Sequence, residues 1–140
     1  MLKNLMRFIG IHAPFQQLRI AMYRKAGIKI GNPLLFGGHI WIDVSYPQVT
    51  IEDNVLLGGY DFILAHSHIG YENVNAPVVI KKNARIGVRV TILPGVTIGE
   101  NSIIGAGSVV SESIPDNVVA VGVPAKAIKK IEKKNQNWEG

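Results

Sequence analysis

From Ile80 to Ile114 the chain keeps a strict six-residue period. Aliphatic residues stand at 80, 86, 92, 98, 104 and 110, and four places after each come Ala84, Val90, Val96, Ser102, Ser108 and Ile114, all small or aliphatic. Six is not a helical period, because residues six apart fall on different faces of an α-helix. It suits a short strand followed by a turn. Two residues four apart in a strand point the same way, so both can face a core. The Gly, Asn and Pro between them suit corners. Three such segments close a triangular coil, and coils stack at the strand spacing of about 4.8 Å. Sandwich strands recur at roughly 8 to 12 residues instead. An internal repeat of this kind decides the fold before any other signal.

The period extends backwards. Ile30, Phe36 and Ile42 are six apart, with Leu34, Ile40 and Tyr46 four later. A three-residue insertion at Tyr46-Pro-Gln precedes Ile51, Leu57, Ile63 and Ile69, and residues 70–79 break the count again. The repeat therefore predicts four to five coils spanning 28–125, with a loop excursion over 70–79. Ahead of it, residues 2–9 carry an amphipathic helical pattern ended by Gly10, and Pro14–Ala26 carry a second one with Phe15, Leu18, Ala21 and Met22 on one face. These form a helical cap, residues 1–27, over the open end of the coil, where unpaired backbone would invite edge association. A basic amphipathic face also allows weak peripheral membrane contact through these helices. Lys126–Lys134 reads as a short basic helix before a tail ending at Gly140. Many small aliphatics and few rings, with 47% hydrophobic and 7% aromatic residues, suit a narrow core of stacked Ile and Val.

The chain has no Cys, which excludes disulfides, thiolate metal sites and a Cys nucleophile, and fits a reducing, cytoplasmic setting. The net charge of +5 favours anionic ligands or surfaces. Lys and Arg are spread along the chain and no nucleic-acid motif is present, so nucleic acid is not an expected partner. No run reaches the roughly 20 apolar residues of a membrane span.

The run Val90-Thr-Ile-Leu-Pro-Gly-Val-Thr-Ile-Gly-Glu-Asn-Ser-Ile-Ile-Gly-Ala-Gly-Ser-Val-Val, followed by Gly122-Val-Pro-Ala-Lys126, resembles the hexapeptide-repeat acyltransferases. It is similar to the maltose, galactoside and capsular or colanic-acid sugar O-acetyltransferases over about residues 28–131. The resemblance implies an all-β, left-handed parallel β-helix. It also implies a homotrimer and acetyl-CoA as acyl donor, with a sugar hydroxyl as acceptor. No metal is expected.

In that family a single His beside the interrupting loop is the general base. His66 and His68 both precede the break; the family's His stands five places after the last regular rung, which selects His68 over His66. An imidazole, with a pKa near working pH, can take the proton of a weakly nucleophilic sugar hydroxyl as it attacks a thioester. A backbone carbonyl or a carboxylate such as Glu72 would orient the ring. The positions matching the family's cofactor contacts are Gly87, Val88, Gly105, Ala106 and Ser111, with Pro124 beside the adenine and Lys126 and Lys129 near the phosphates. Asp43 matches an acceptor-binding carboxylate. Two residues depart from the pattern: Glu112 stands where relatives carry Lys, and Arg85 where they often carry Trp. Two other readings stay open, a γ-type carbonic anhydrase-like metal protein and a non-catalytic sugar-binding or scaffold β-helix. The spacing of His39 and His68 does not fit His ligands stacked on successive coils.

Overall fold

A computed structural model of the chain describes residues 1–45, 48–69 and 72–132, with the backbone alone for 68, 69, 72 and 73. Tyr46, Pro47 and the tail from 133 lie outside the described residues.

The six-residue period becomes a triangular column. Its first coil is built from β1 (Lys29–Ile30), β2 (Leu35–Phe36) and β3 (Trp41–Ile42), and the second from β4 (Val49–Ile51), β5 (Leu56–Leu57) and β6 (Phe62–Ile63). An antiparallel arm follows, β7 (His66–Ile69) and β8 (Glu72–Asn75). The third coil holds β9 (Val78–Ile80), β10 (Arg85–Ile86) and β11 (Thr91–Ile92), and the fourth β12 (Thr97–Ile98), β13 (Ile103–Ile104) and β14 (Val109–Val110). Stacked strands pair in parallel and form three faces: β1-β4-β9-β12, β2-β5-β10-β13 and β3-β6-β11-β14. Register puts rung on rung, as in Ile51↔Ile80↔Ile98 and Leu57↔Ile86↔Ile104. These side chains are all 1% exposed or less, and they build one continuous core.

The first corner, between the first and second faces, carries Asn54, Asn83, Asn101 and Asn117, all at φ between +57° and +63°. Asn tolerates this left-handed conformation better than most residues. The side chains form a ladder: Asn54 Nδ2 donates to Asn83 Oδ1 at 2.7 Å, Asn83 to Asn101 at 3.1 Å, and Asn101 to Asn117 at 2.9 Å.

The cap comprises α1 (Leu2–His12) and α2 (Gln16–Lys25). Gly10 does not end α1. It lies inside the helix, buried, where a Cβ would come within 3.0 Å of the Tyr23 ring, so it permits the two helices to approach. The inward face of α2 is also not the expected one. Phe15 and Leu18 are exposed, and Arg19, Ile20, Tyr23 and Ala26 are buried instead. The reason is the backbone of the first coil, which has no coil beneath it. Arg19 donates to the carbonyl of Phe36 at 2.6 Å, Tyr23 to that of Ile40 at 2.5 Å and Arg24 to that of Ile30 at 2.9 Å, while Gln16 accepts the N–H of Phe36. Buried carbonyls require donors, so polar side chains outcompete apolar ones for the inward face. Burial holds the Tyr23 hydroxyl in its protonated, donating form. Leu34, expected inward, is exposed, since α2 closes the column's mouth with Ile20 and Tyr23.

Two further expectations are corrected. The break in the repeat is the arm at 66–75; Ile69 pairs with Glu72 in it and is not a rung, and the chain re-enters the column at Val78. The expected C-terminal helix is a strand, at least to Lys130. After β15 (Val118–Gly122), which stacks on β13, Gly122 at φ +109° reverses the chain into β16 (Ala125–Lys130), antiparallel to β15. Pairing as β16 covers the edge of β15, which a basic helix would leave open, and Lys126 to Lys130 remain exposed.

Candidate active site

Pairing register fixes the length of every corner. The first and second corners always separate rungs by six residues, as in Ile51, Leu57 and Ile63. The third corner, leading from the third face back to the first, varies. It holds the insertion between Ile42 and Val49, the arm between Ile63 and Val78, and a shortened link between Val110 and Ile114.

His66 opens the arm and His68 lies in the same strand. Their backbones oppose Asn75 and Asn73. The His66 side chain is half-buried; the side chains of His68 and Glu72 lie outside the described residues. Asp43 sits at the same corner one coil lower, since its N–H donates to the carbonyl of Ile63 at 3.0 Å. It is only 4% exposed, and its Oδ1 accepts the N–H of Ser45 at 3.0 Å, closing the turn beneath the arm.

The expected donor contacts gather at the second corner instead. Gly87 and Val88 on the third coil lie under Gly105 and Ala106 on the fourth. A Cβ on Gly87 would come within 2.6 Å of the Ala106 nitrogen, and one on Gly105 within 2.5 Å of Val121 Cγ1. These glycines are therefore set by coil-to-coil approach. The outward surface of the strip is made by exposed Val88 and Ala106. Pro124 and Lys126 continue it on the β15–β16 hairpin, while Lys129 lies further along β16 opposite Val119; all three are exposed. Ser111 and Glu112 are exposed at the third corner of the fourth coil. The Glu112 carboxylate accepts from Lys126 Nζ at 3.3 Å, so the acidic departure from the family pattern engages one of the two lysines expected at the phosphates. Arg85, the other departure, donates to the Asn54 carbonyl at 2.5 Å, and partial burial lowers its pKa.

One residue of the second corner was not anticipated. Asp61 occupies the inward place four after Leu57, and it is fully buried. Its Oδ1 accepts the N–H of Val90 at 2.8 Å, and Oδ2 that of Gly59 at 3.3 Å. Burial pushes its pKa up to about 6 against the pull of those two N–H donors. The signal was present in the sequence: Asp61 is a charged residue in a register otherwise filled by aliphatic or small side chains. His39 and Tyr60, on the outside of the same corner, stack with centroids 4.8 Å apart, and His12 meets His39 edge-on at 5.9 Å. His39 thus stands at a different corner from His66 and His68. Among the described residues, no cluster of three His, Cys, Asp or Glu side chains is arranged to hold a metal. A groove of about 440 Å³ on the first face, lined by Lys29, Thr50, Glu52, Asp53 and Lys82, includes none of the expected site residues.

Residues 77–112 match the family model described as bacterial transferase hexapeptide (six repeats). The chain is 38% identical over 138 residues to a putative lipopolysaccharide biosynthesis O-acetyl transferase, WbbJ, of Escherichia coli, covering 87% of this chain and 70% of that protein. It is 42% identical over 120 residues to the galactoside O-acetyltransferase of the same organism, covering 81% of this chain and 59% of that one. The chain spans only 44%, 54% and 59% of the length of three curated relatives that it matches. A solved galactoside acetyltransferase in complex with coenzyme A superposes with a TM-score of 0.74 at 27% identity, covering 99% of this chain and 83% of that one.

Proposed function

The chain belongs to the hexapeptide-repeat acetyltransferases, and from that membership we propose that it transfers an acetyl group from acetyl-CoA to a hydroxyl of a sugar or saccharide. The observation that carries the reading is the arm at the third corner. Among the described residues it is the longest interruption of the column, and it brings two imidazole-bearing residues to a single edge.

In this reading His68 is the general base. The acceptor oxygen attacks the thioester carbonyl as its proton passes to the imidazole. The tetrahedral intermediate is held by fixed N–H donors of a coil turn and collapses. The C–S bond breaks, the imidazolium returns its proton to the departing thiolate, and the products are the acetyl ester and free CoA. General-base assistance of this kind contributes roughly a hundred- to ten-thousandfold, and fixed oxyanion donors act on the charge that develops in the transition state. With no Cys in the chain, transfer is direct, within a ternary complex. Asp43 acts at one remove, by holding the turn beneath the arm.

The pantetheine arm lies along Gly87, Val88, Gly105 and Ala106, and the nucleotide end meets Pro124, Lys126 and Lys129; Ser111, at the third corner, stands away from this strip on its own protomer. That strip is at the second corner and the arm is at the third, at opposite ends of the third-face strands. A homotrimer of left-handed columns resolves the separation, because the arm of one protomer faces the strip of its neighbour. Half-exposed Phe62 and Val88, and Trp41 stacked on Phe62 with centroids 6.3 Å apart, are apolar outer positions that such an assembly would cover. The relatives' names support a saccharide acceptor, and acetyl-CoA as donor fits a cytoplasmic reaction.

His68→Ala should lower turnover at least a hundredfold while size-exclusion chromatography still reports the trimer. Full activity in that variant, or an equal loss from His66→Ala alone, overturns the assignment. Acetyl-CoA consumption measured against a panel of sugars, nucleotide sugars and amines identifies the acceptor class.

A further inference from the structure

The two helices of the cap leave an apolar ridge without a partner. On α2 the buried side chains Arg19, Ile20 and Tyr23 lie against the first coil, and Leu18, Ala21 and Lys25 fall on the opposite side of the helix. On α1, Met6, Gly10 and Ile11 pack inward, and Leu5 and Phe8 are turned out. Leu5 is 51% exposed, Phe8 60%, Phe15 68% and Leu18 40%. Large exposed apolar patches on a folded surface mark interaction sites. Closing the column does not need these residues, since Arg19, Tyr23, Arg24 and Gln16 supply the hydrogen bonds of that end.

Charge decides what covers them. Lys and Arg are spread along the chain, but Asp and Glu are not. Residues 1–42 hold six of the fifteen Lys and Arg and none of the ten Asp and Glu, a charge of +6, while the remaining 98 residues balance to −1. Arg19 is buried against the first coil, so the other five of these charges, with no acidic residue among them, are what the cap and the coil it touches can present. Lys25 is exposed on the same stripe of α2 as Leu18, and Lys3 is exposed in the first turn of α1. A surface that is both apolar and purely basic matches a lipid headgroup region carrying negative charge, where Leu and Phe enter the acyl boundary and Lys meets the anionic heads. A second copy of the chain would bring +6 against +6. No described helix is long and apolar enough to cross a membrane, so the contact is interfacial.

We propose that the outer face of α1 and α2, through Leu5, Phe8, Phe15 and Leu18 together with Lys25 and the exposed Lys3 of the first turn, docks the protein on an anionic membrane surface. This goes beyond the transferase reading and does not depend on it. The docked protein stands with its column rising from the bilayer, because α2 lies across the column's lower end.

The test is co-sedimentation of the full chain with vesicles of pure phosphatidylcholine and of phosphatidylcholine with 30% phosphatidylglycerol. Binding to the anionic vesicles should be at least tenfold stronger at 50 mM salt and should weaken as salt is raised. Lys3→Gln with Lys25→Gln changes only exposed side chains and should weaken it by roughly fivefold per charge removed. Leu5→Gln with Leu18→Gln should reduce it at least tenfold, with an unchanged circular dichroism spectrum and oligomeric mass. Equal retention on both vesicle types overturns the proposal. So does a Leu5→Gln, Leu18→Gln protein that keeps its vesicle binding but loses its oligomeric mass, which assigns the ridge to contact between copies.

Discussion

Asp61→Asn should change how stability depends on pH. In the folded chain the carboxyl is enclosed by the column and keeps its proton up to pH about 6, whereas an unfolded Asp ionises near 3.8. Below 3.8 both states are protonated and the group is neutral for stability. Between about 4 and 6 the unfolded chain gives up the proton and the folded chain does not, so stability falls as pH rises. Above 6 the loss is complete and constant. A proton held about a hundredfold more tightly in the folded state corresponds to about 3 kcal/mol. The amide can keep the 2.8 Å bond from Val90 N–H through its oxygen; its nitrogen would face Gly59 N–H, where the existing bond is the longer, at 3.3 Å. Urea midpoints of both proteins, measured from pH 4.5 to 7 at one protein concentration, give the difference. It should move in favour of Asn by about 2 kcal/mol across that range. A difference that stays flat would refute this, since it would mean that the folded carboxyl is ionised throughout, with its two N–H donors outweighing burial.

Two other substitutions test the corners and the donor end. Asn83→Ala removes both ladder bonds of that amide and leaves Ala at φ +63°, which should cost about 1–3 kcal/mol in chemical denaturation, with Asn83→Gly recovering about 1 kcal/mol of it. Glu112→Gln frees Lys126 from an exposed ion pair. On the proposed function, the affinity for acetyl-CoA should then rise by up to about fivefold at low ionic strength and by nothing in 1 M salt, because exposed pairs are weak and screened.

The interior of the column was legible because the period reports directly on it. Ile80, Ile86, Ile92, Ile98, Ile104 and Val110 face the core as the spacing demands. The ends were not legible, because the period says nothing about backbone that lacks a neighbouring coil. α2 was read from its apolar residues, yet its inward face is chosen by carbonyls needing Arg19, Tyr23 and Arg24. Lys126–Lys130 has helix-forming composition, yet the edge of β15 decides its state. At the site, the arm was visible as a break in the count, though its true extent depends on antiparallel pairing from His66 onward. Asp61 was visible only as an exception within a pattern.

The position of that arm follows from what locks the other two corners. At the first corner a change of length would shift Asn54, Asn83, Asn101 and Asn117 out of their ladder. At the second corner, successive turns touch: a Cβ on Gly37, Gly58 or Gly87 would come within 2.6–2.9 Å of backbone one coil above. An extra residue there would force main chain into main chain. Among the described residues the third corner carries neither device, and the departures from the six-residue count between paired rungs fall on it. A rigid column can therefore present an element of variable length along one edge only, and His66 and His68 are on that edge. It follows that a two-residue Gly-Ser insertion directly after Ser45, at the third corner and outside the Asp43–Ser45 bond, should be tolerated to within about 1 kcal/mol, since loop lengthening is cheap. The same insertion between Gly87 and Val88 should abolish the cooperative unfolding transition. Equal tolerance at both places would refute the locking argument and with it the physical reason for the arm's location.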